Sequence, residues 1–193
     1  WVHPYLPEEH PDVQNAAVKS HGLDISNPGA AEWLHELFNR AANEWGYDFI
    51  KIDFVDWTVL RAETFHDPTA TCAEMYRKGN EIMRAAMGPK KHLLDCGPGP
   101  VSVGTFDSMR IELDQPPVLW TQYYGNSASS GPAAAKRYYF HNRVWINDAD
   151  HLVTMYLTVP QSQAAASIIG LSGGNVMSGD RLYDMDPARL DIF

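Results

Sequence analysis

The sequence predicts an α/β protein, an incomplete (β/α)8 TIM barrel, and three observations support this fold class. Short apolar runs alternate with amphipathic stretches along the chain, and strict alternation of strands and helices is typical of parallel sheets with right-handed crossovers. No glycine-rich phosphate loop follows an early strand, as it would in a dinucleotide-binding sheet. Polar residues instead collect at the carboxyl ends of the strands, where a (β/α)8 barrel keeps its active site.

The first helix and strand have the clearest signals. Asn27 and Pro28 supply a helix cap and a first-turn proline, and Gly46 supplies the stop. Apolar residues recur between them at helical spacing and predict one buried face: Trp33, Leu34, Leu37, Phe38, Ala41, Ala42 and Trp45. The aromatic and β-branched run over 47–55 then predicts a parallel strand buried on both faces.

The later elements repeat this alternation. A second helix is predicted from Asp67 and Pro68 to Gly88, with a helix at 161–171 and another that begins at Pro187. Further strands are predicted at 92–96, 106–113, 143–147 and 174–177, and 1–5 reads as the tail of one more. Eight barrel units usually take about 250 residues, so a chain of 193 residues would hold roughly six of them.

Composition and charge exclude several function classes. With 24 acidic residues against 15 basic ones the net charge is -9, which disfavours nucleic acid and anionic membrane surfaces as partners. No apolar run approaches the roughly 18 residues that span a bilayer. Cys72 and Cys96 form no CxxC pair, which favours reduced thiols and a cytoplasmic location. The histidines show no metal-binding spacing.

Two pairs of residues at strand ends are candidates for catalysis. Lys51 and Asp53 lie two residues apart on one strand face, and Arg110 precedes Asp114 by four residues at another strand end. One strand separates the pairs, so their carboxyls can approach to about 5 to 6 Å, the separation in a retaining glycosidase. Lys51 favours the ionised form that a nucleophile requires. The charge-poor loop after Asp114 favours the protonated form that a general acid requires.

Short motifs follow one another in an order that can be compared with known families. They are WVHP at 1–4, HPD at 10–12, LDISNP at 23–28, WGYDFIKIDF at 45–54, DCG at 95–97, FDSMRI at 106–111, WINDAD at 145–150 and LSGG at 171–174. This order resembles the catalytic barrel of glycoside hydrolase family 36, the α-galactosidase (melibiase) group, over nearly the whole chain. Family 36 is related to family 27.

The resemblance implies a role for both candidate pairs. Asp53 takes the position of the family's nucleophile, and Lys51 that of a side chain that contacts galactose hydroxyls. Asp114 takes the position of the acid/base, and Arg110 helps to hold the sugar. The implied reaction is double displacement through a covalent glycosyl-aspartate, with terminal α-D-galactosides of oligosaccharides or glycoconjugates as substrates.

The resemblance also places a pocket wall and implies a larger protein. Trp1 falls at a tryptophan that packs against the substrate, and Cys96 with Gly97 falls at a turn that lines the galactose pocket. No cofactor is implied. Residues 1–193 would form a partial catalytic domain, from the end of the third barrel strand through the eighth strand to the start of its helix. The first two strands and a C-terminal β-sandwich would be absent, and we expect such a chain alone to fold poorly.

Departures from the family pattern leave other sugars and reactions open. Pro98 and Pro100 lie in a loop that carries other residues in the family, and Glu112 stands near the acid/base where Gly or Ser is commoner. Such loops read the sugar, so α-N-acetylgalactosaminidase, β-L-arabinopyranosidase and galactosyl transferase activities are alternatives. We interpret Asp148 and Asp150 as structural residues that bond neighbouring loop amides.

Two further alternatives differ in class. One is a non-catalytic sugar-binding barrel that retains the pocket. The other is an enolase-like barrel with Lys51 as base, in which strand-end acids hold magnesium. Its metal ligands would be Asp53, Asp95, Asp114 and Asp148.

Overall fold

A sheet of five parallel strands forms the centre of the protein. The structure is a computed structural model and describes residues 22–59, 62–97, 99–112, 114 and 130–192. The strands lie side by side in chain order: β1 (Phe49–Ile52), β2 (His92–Asp95), β3 (Ser108–Arg110), β4 (Ile146–Leu152) and β5 (Asn175–Ser178). All neighbouring pairs are parallel. The sheet curls into a half-barrel, which confirms the predicted fold class of an incomplete (β/α) barrel.

Helices connect the strands and cover the outer face of the sheet. They are α1 (Pro28–Asn39), α2 (Cys72–Met87), α3 (Gly99–Ser102), α4 (Ser130–Arg137), α5 (Val159–Leu171) and α6 (Pro187–Leu190). Two apolar clusters join helices to strands: Met83 and Met87 of α2 pack with Ile52 and Leu93, and Ala165 of α5 packs with β4. In β1, β2 and β4 the residues of these clusters therefore point at the helices, and the residues between them face the concave side. None of the helices in the described ranges is long and apolar enough to cross a membrane.

Local capping signals explain where the helices begin. The Asn27 side chain accepts from the backbone N–H of Gly29 at 2.9 Å, so α1 begins where the sequence predicts. The second helix begins later than predicted, because Thr71 and Glu74 form a capping box. Asp67, the predicted start, instead accepts from the backbone and side chain of Thr69 in a preceding turn.

The apolar stripe of the first helix is narrower than the sequence predicts. Ala42 is fully buried, but Trp33 and Trp45 are 54% and 61% exposed, so their assignment to the core is wrong. Trp33 lies at the edge of the apolar arc. Trp45 follows a π-helical turn, Arg40–Glu44, and such a turn changes the angular period on which the prediction depends. Phe49 is 40% exposed, so β1 is buried on its helix side and more open on its concave side.

The later strands agree with the prediction in order and differ in their bounds. β2 and β5 lie within one residue of their predicted positions, and α5 covers its predicted range. β4 begins three residues later than predicted and continues to Leu152, because Ala149 and Leu152 turn to the helices while Asp148 faces the concave side. The predicted strand tail at 1–5 lies outside the described residues.

Candidate active site

The end of β1 presents Lys51 and Asp53 on the open side of the sheet. Ile52 between them is buried against the helices, whereas both charged side chains are exposed. The backbone N–H of Phe54 donates to Asp53 Oδ1 at 2.8 Å. Phe54 itself has a φ of 54°, in the left-handed region, and the chain turns there into a short 3-10 helix, Val55–Thr58. The strand end thus holds an accessible carboxylate beside a lysine.

The turn after β2 is fixed from the helix side by a buried carboxylate. Asp95 accepts hydrogen bonds from the hydroxyls of Tyr76 at 2.9 Å and Ser102 at 2.6 Å, and from the backbone N–H of Gly97 at 2.9 Å. A Cβ at Gly97 would lie 2.0 Å from the Tyr76 hydroxyl. Only glycine fits this turn. The turn sets the position of Cys96 at the mouth of the half-barrel, the open end at which the carboxyl ends of the strands lie.

Cys96 lies between the two candidate pairs. Burial raises the pKa of its thiol to about 12. The positive charges of Arg110 and Lys51 lower this pKa, whereas the negative charges of Asp53 and Asp148 raise it further. The charges of both strand ends therefore act on one thiol, which places them around the β2 end. Cys96 stays protonated at neutral pH and forms a neutral wall of the site.

Arg110 at the end of β3 is a buried cation with three carboxylate partners. Its Nε lies 3.1 Å from Asp148 Oδ2, its Nη1 lies 2.9 Å from Asp114 Oδ1, and its Nη2 lies 2.7 Å from Asp150 Oδ1. The Arg110 side chain is 5% exposed, those of Asp148 and Asp150 are 0% and 2% exposed, and that of Asp114 is 86% exposed. Burial alone would lower the pKa of Arg110, but the neighbouring carboxylates outweigh it and raise that pKa. The guanidinium is therefore charged and fixed in orientation.

An irregularity in β4 brings its two aspartates to Arg110. Asp148 is the direct register partner of Arg110. The pairing of β4 with β5 then shifts between Asp148 and His151, and Asp150 adopts a φ of 59°. His151 Nδ1 lies 2.9 Å from Asp150 Oδ1, and this hydrogen bond raises the pKa of His151. The His151 ring packs on Gly179, where a Cβ would lie 2.2 Å from Cδ2 of the ring.

These contacts bear on two of the sequence-based interpretations. Asp148 and Asp150 bond to Arg110 across the sheet, rather than serving solely to anchor their own loop. Asp114 itself lies 2.9 Å from Nη1 of Arg110, while the charge-poor loop expected to follow it lies outside the described residues. The sequence interpretation did not include the contacts of Asp150 with Arg110 and His151. The alternation of aspartates with Ala149 is the signal that could have revealed that Asp148 and Asp150 share a face.

The remaining predicted residues are only partly placed. The charges of both candidate pairs act on Cys96, and Gly97 forms the turn that follows it, whereas Trp1 lies outside the described residues. A separate cavity of about 310 Å³ lies on the helix side of β1, between α1 and α2. Asp53 and Phe54 reach its edge, and core residues such as Leu34 and Met83 form its walls. Because sugar hydroxyls need polar partners, the concave mouth suits a sugar better than this apolar cavity.

Comparison with solved structures identifies the fold. No known protein-family model matches the sequence. An α-galactosidase from Thermus thermophilus in complex with p-nitrophenyl α-D-galactopyranoside superposes with a TM-score of 0.65 at 22% identity, covering 87% of this chain and 36% of the enzyme. The same enzyme in complex with stachyose gives a TM-score of 0.61 at 22% identity, covering 88% and 38% of the two chains.

A second enzyme gives a similar match. The isomalto-dextranase of Arthrobacter globiformis T6, complexed with panose, superposes with a TM-score of 0.67 at 14% identity, covering 88% of this chain and 33% of that enzyme. The chain therefore spans about a third of the length of the solved structures it matches. What it shares with these glycosidases is the barrel fold.

Proposed function

We propose that the protein is a retaining glycosidase that acts on terminal α-D-galactosides, with Asp53 as nucleophile and Asp114 as acid/base. The observation that carries this proposal is the presence of two exposed carboxylates after β1 and β3, on either side of the β2 end. Each belongs to a pair with a basic residue, Lys51 or Arg110. A retaining glycosidase needs two such carboxyls that flank one anomeric carbon.

The proposed reaction has two displacements at that carbon. In the first, Asp114 gives the proton on its Oδ2 to the leaving oxygen, while its Oδ1 accepts from Arg110 Nη1. At the same time Asp53 attacks the anomeric carbon, so that the glycosidic bond breaks and a glycosyl-aspartate forms. The Phe54 N–H holds Oδ1 of the nucleophile, and Oδ2 makes the new bond. In the second, Asp114 takes a proton from water, whose oxygen attacks the same carbon and releases Asp53.

The choice of galactosides has two supports. The motif order resembles that of the α-galactosidase group, and two of the superposed structures are of an α-galactosidase with a galactoside or stachyose bound. Lys51, Cys96, Gly97 and Trp1 are the proposed sugar-binding residues, with Arg110 at the acid/base. We further propose that residues 1–193 are part of a larger catalytic domain.

The position of Asp95 argues against the enolase-like alternative. That reading requires Asp95 among the magnesium ligands at the mouth, but its carboxylate is fully buried and accepts from Tyr76 and Ser102 on the helix side. Within the described ranges, no three His, Cys, Asp or Glu side chains are grouped as metal ligands.

Trapping of the covalent intermediate tests the proposal. The complete gene product is treated with 2-deoxy-2-fluoro-α-D-galactosyl fluoride, and the labelled peptide is identified by mass spectrometry. We expect the label on Asp53, its loss in Asp53→Ala, and rescue of Asp53→Ala turnover by azide. Asp48→Ala is the matched control, because Asp48 pairs with Lys91 at the other end of the same strand.

The outcome of this experiment is decisive for the mechanism. A label on another residue would refute Asp53 as the nucleophile, and an inert wild-type protein would favour the non-catalytic sugar-binding alternative. Rates with the p-nitrophenyl α-galactoside, α-N-acetylgalactosaminide and β-L-arabinopyranoside then rank the sugars, and product analysis separates hydrolysis from galactosyl transfer.

A further inference from the structure

We propose that Asp148 and Asp150 are positioning residues, which clamp Arg110 from β4 and so fix the orientation of Asp114 for proton transfer. This inference rests on the proposed function, because it assigns a role to the surroundings of the acid/base. It also accounts for a feature that the catalytic pair leaves unexplained, the burial of two carboxylates beside one guanidinium.

The number of buried charges argues against a purely structural role. One carboxylate would neutralise Arg110, yet the side chains of both Asp148 and Asp150 are almost fully buried against it. Burying a second carboxylate opposes folding. Moreover, Oδ1 of Asp148 has no hydrogen-bond partner within the described ranges, and such an orphaned oxygen is also unfavourable. Neutralisation of Arg110 alone therefore does not account for both carboxylates.

The geometry shows what the second carboxylate does. A guanidinium bound at Nε alone can still tilt, whereas one bound at Nε and Nη2 is held in its plane. Asp148 binds Nε and Asp150 binds Nη2, which leaves Nη1 directed at Asp114. Asp114 lies beyond the end of β3 with an 86% exposed side chain, and its contact with Nη1 restricts its rotamer.

The backbone of β4 is shaped to make this clamp. The register shift between Asp148 and His151 inserts an extra residue, and the left-handed φ of 59° at Asp150 turns its carboxylate to Arg110. Bulges of this kind commonly re-aim a side chain next to an active site, and strained residues collect there. His151 binds the same Asp150 oxygen that Arg110 Nη2 contacts, and its ring is packed on Gly179. The carboxylate is thus held from both sides.

The test uses the leaving-group dependence of the complete gene product. A variant with a misplaced acid loses rate on substrates whose leaving group needs protonation, but keeps most of its rate on activated substrates. The readout is the ratio of kcat/KM for methyl α-galactoside to that for 2,4-dinitrophenyl α-galactoside. We expect Asp150→Asn to lower this ratio on the order of 10-fold, and Asp114→Ala to lower it about 100-fold or more.

Asp107→Asn is the matched control. Asp107 forms an ion pair with Arg84 at the opposite end of β3, where the side chains are 22% (Arg84) and 36% (Asp107) exposed. Its substitution removes an arginine–aspartate pair outside the candidate site, so it should lower the thermal stability without changing the ratio. A folded Asp150→Asn variant whose ratio stays within about twofold of the wild type would overturn the clamp.

Further variants keep every outcome informative. Asp148→Asn is the second clamp variant and should lower the ratio in the same direction. If both clamp variants fail to fold while Asp107→Asn folds, the aspartates are required for the fold and the positioning role is refuted. A wild-type protein without galactosidase activity, or an unchanged ratio in Asp114→Ala, refutes the proposed function itself. An effect of Asp114→Ala without an effect of the clamp variants refutes only this inference.

Discussion

Replacement of Arg110 by methionine should destabilise the protein strongly. The variant keeps the apolar stem and removes the charge that lies 3.1 Å from Asp148 and 2.7 Å from Asp150. Removing one partner of a buried ion pair costs about 3 to 5 kcal/mol of unfolding free energy, because the remaining charge stays buried. Asp114 adds little to this loss, since its side chain is 86% exposed and can be hydrated.

The loss should depend on pH in a defined direction. Burial already raises the pKa of Asp148 above its ordinary value in the wild type, and loss of the Arg110 charge raises it further. A buried acid with a raised pKa destabilises the fold most when it is ionised, above its folded-state pKa. The penalty is relieved as the pH falls through that value. The difference between wild type and Arg110→Met should therefore be largest at neutral pH and shrink on acidification.

Urea denaturation at several pH values measures this difference. Arg181→Met is the matched control, because Arg181 lies 3.4 Å from Asp184 with both side chains well exposed. Such a surface pair contributes about 0 to 1 kcal/mol. A loss below about 1 kcal/mol for Arg110→Met at neutral pH, or a loss that grows on acidification, would refute the view of Arg110 as the counter-ion of two buried carboxylates.

Two further predictions concern the turn after β2 and the imidazole on β4. Gly97→Ala should lower the free energy of unfolding by about 1 to 3 kcal/mol and reduce kcat/KM, because the new methyl group overlaps the Tyr76 hydroxyl. Calorimetry measures the stability and initial rates measure kcat/KM. Gly170→Ala is the control, because a Cβ at Gly170 meets nothing within 4 Å. The hydrogen bond with Asp150 raises the pKa of His151 in the folded state. The contribution of this contact to stability is therefore full below the unfolded-state pKa of histidine and is lost as the pH rises through the folded-state pKa. The stability difference between wild type and His151→Gln should therefore fall from pH 5.5 to pH 8.5, and a difference that rises with pH would contradict the assignment.

Elements with local signals could be predicted from the sequence. Asn27 and Pro28 start α1 because a cap and a first-turn proline act on their own backbone neighbours. The start of α2 shows how two local signals compete. Asp67 and Thr71 are both capping residues, but only Thr71 has a glutamate three positions later, and that capping box starts the helix.

The arrangement around Arg110 could be predicted only in part. The spacing of Arg110 and Asp114 fits a contact, and the structure places their side chains 2.9 Å apart. The β4 partners could not be found in this way, because they depend on the pairing of β3 with β4 and on a register shift towards β5. Both are contacts between residues far apart in the chain, and a one-residue change of register would turn Asp148 to the opposite face.

The burial pattern at the mouth separates the proposed reactive groups from the residues that hold them in place. Asp53 and Asp114 are exposed at strand ends, where a substrate can reach them, whereas Asp95, Asp148 and Asp150 are buried. Each buried carboxylate is bonded to a group that sets part of the mouth, either a turn or a guanidinium. Because buried groups are fixed by packing and exposed ones are not, precise geometry at an exposed acid has to come from the layer beneath it. Substitutions in that layer should therefore alter the transfer of a proton before they alter the affinity for a sugar.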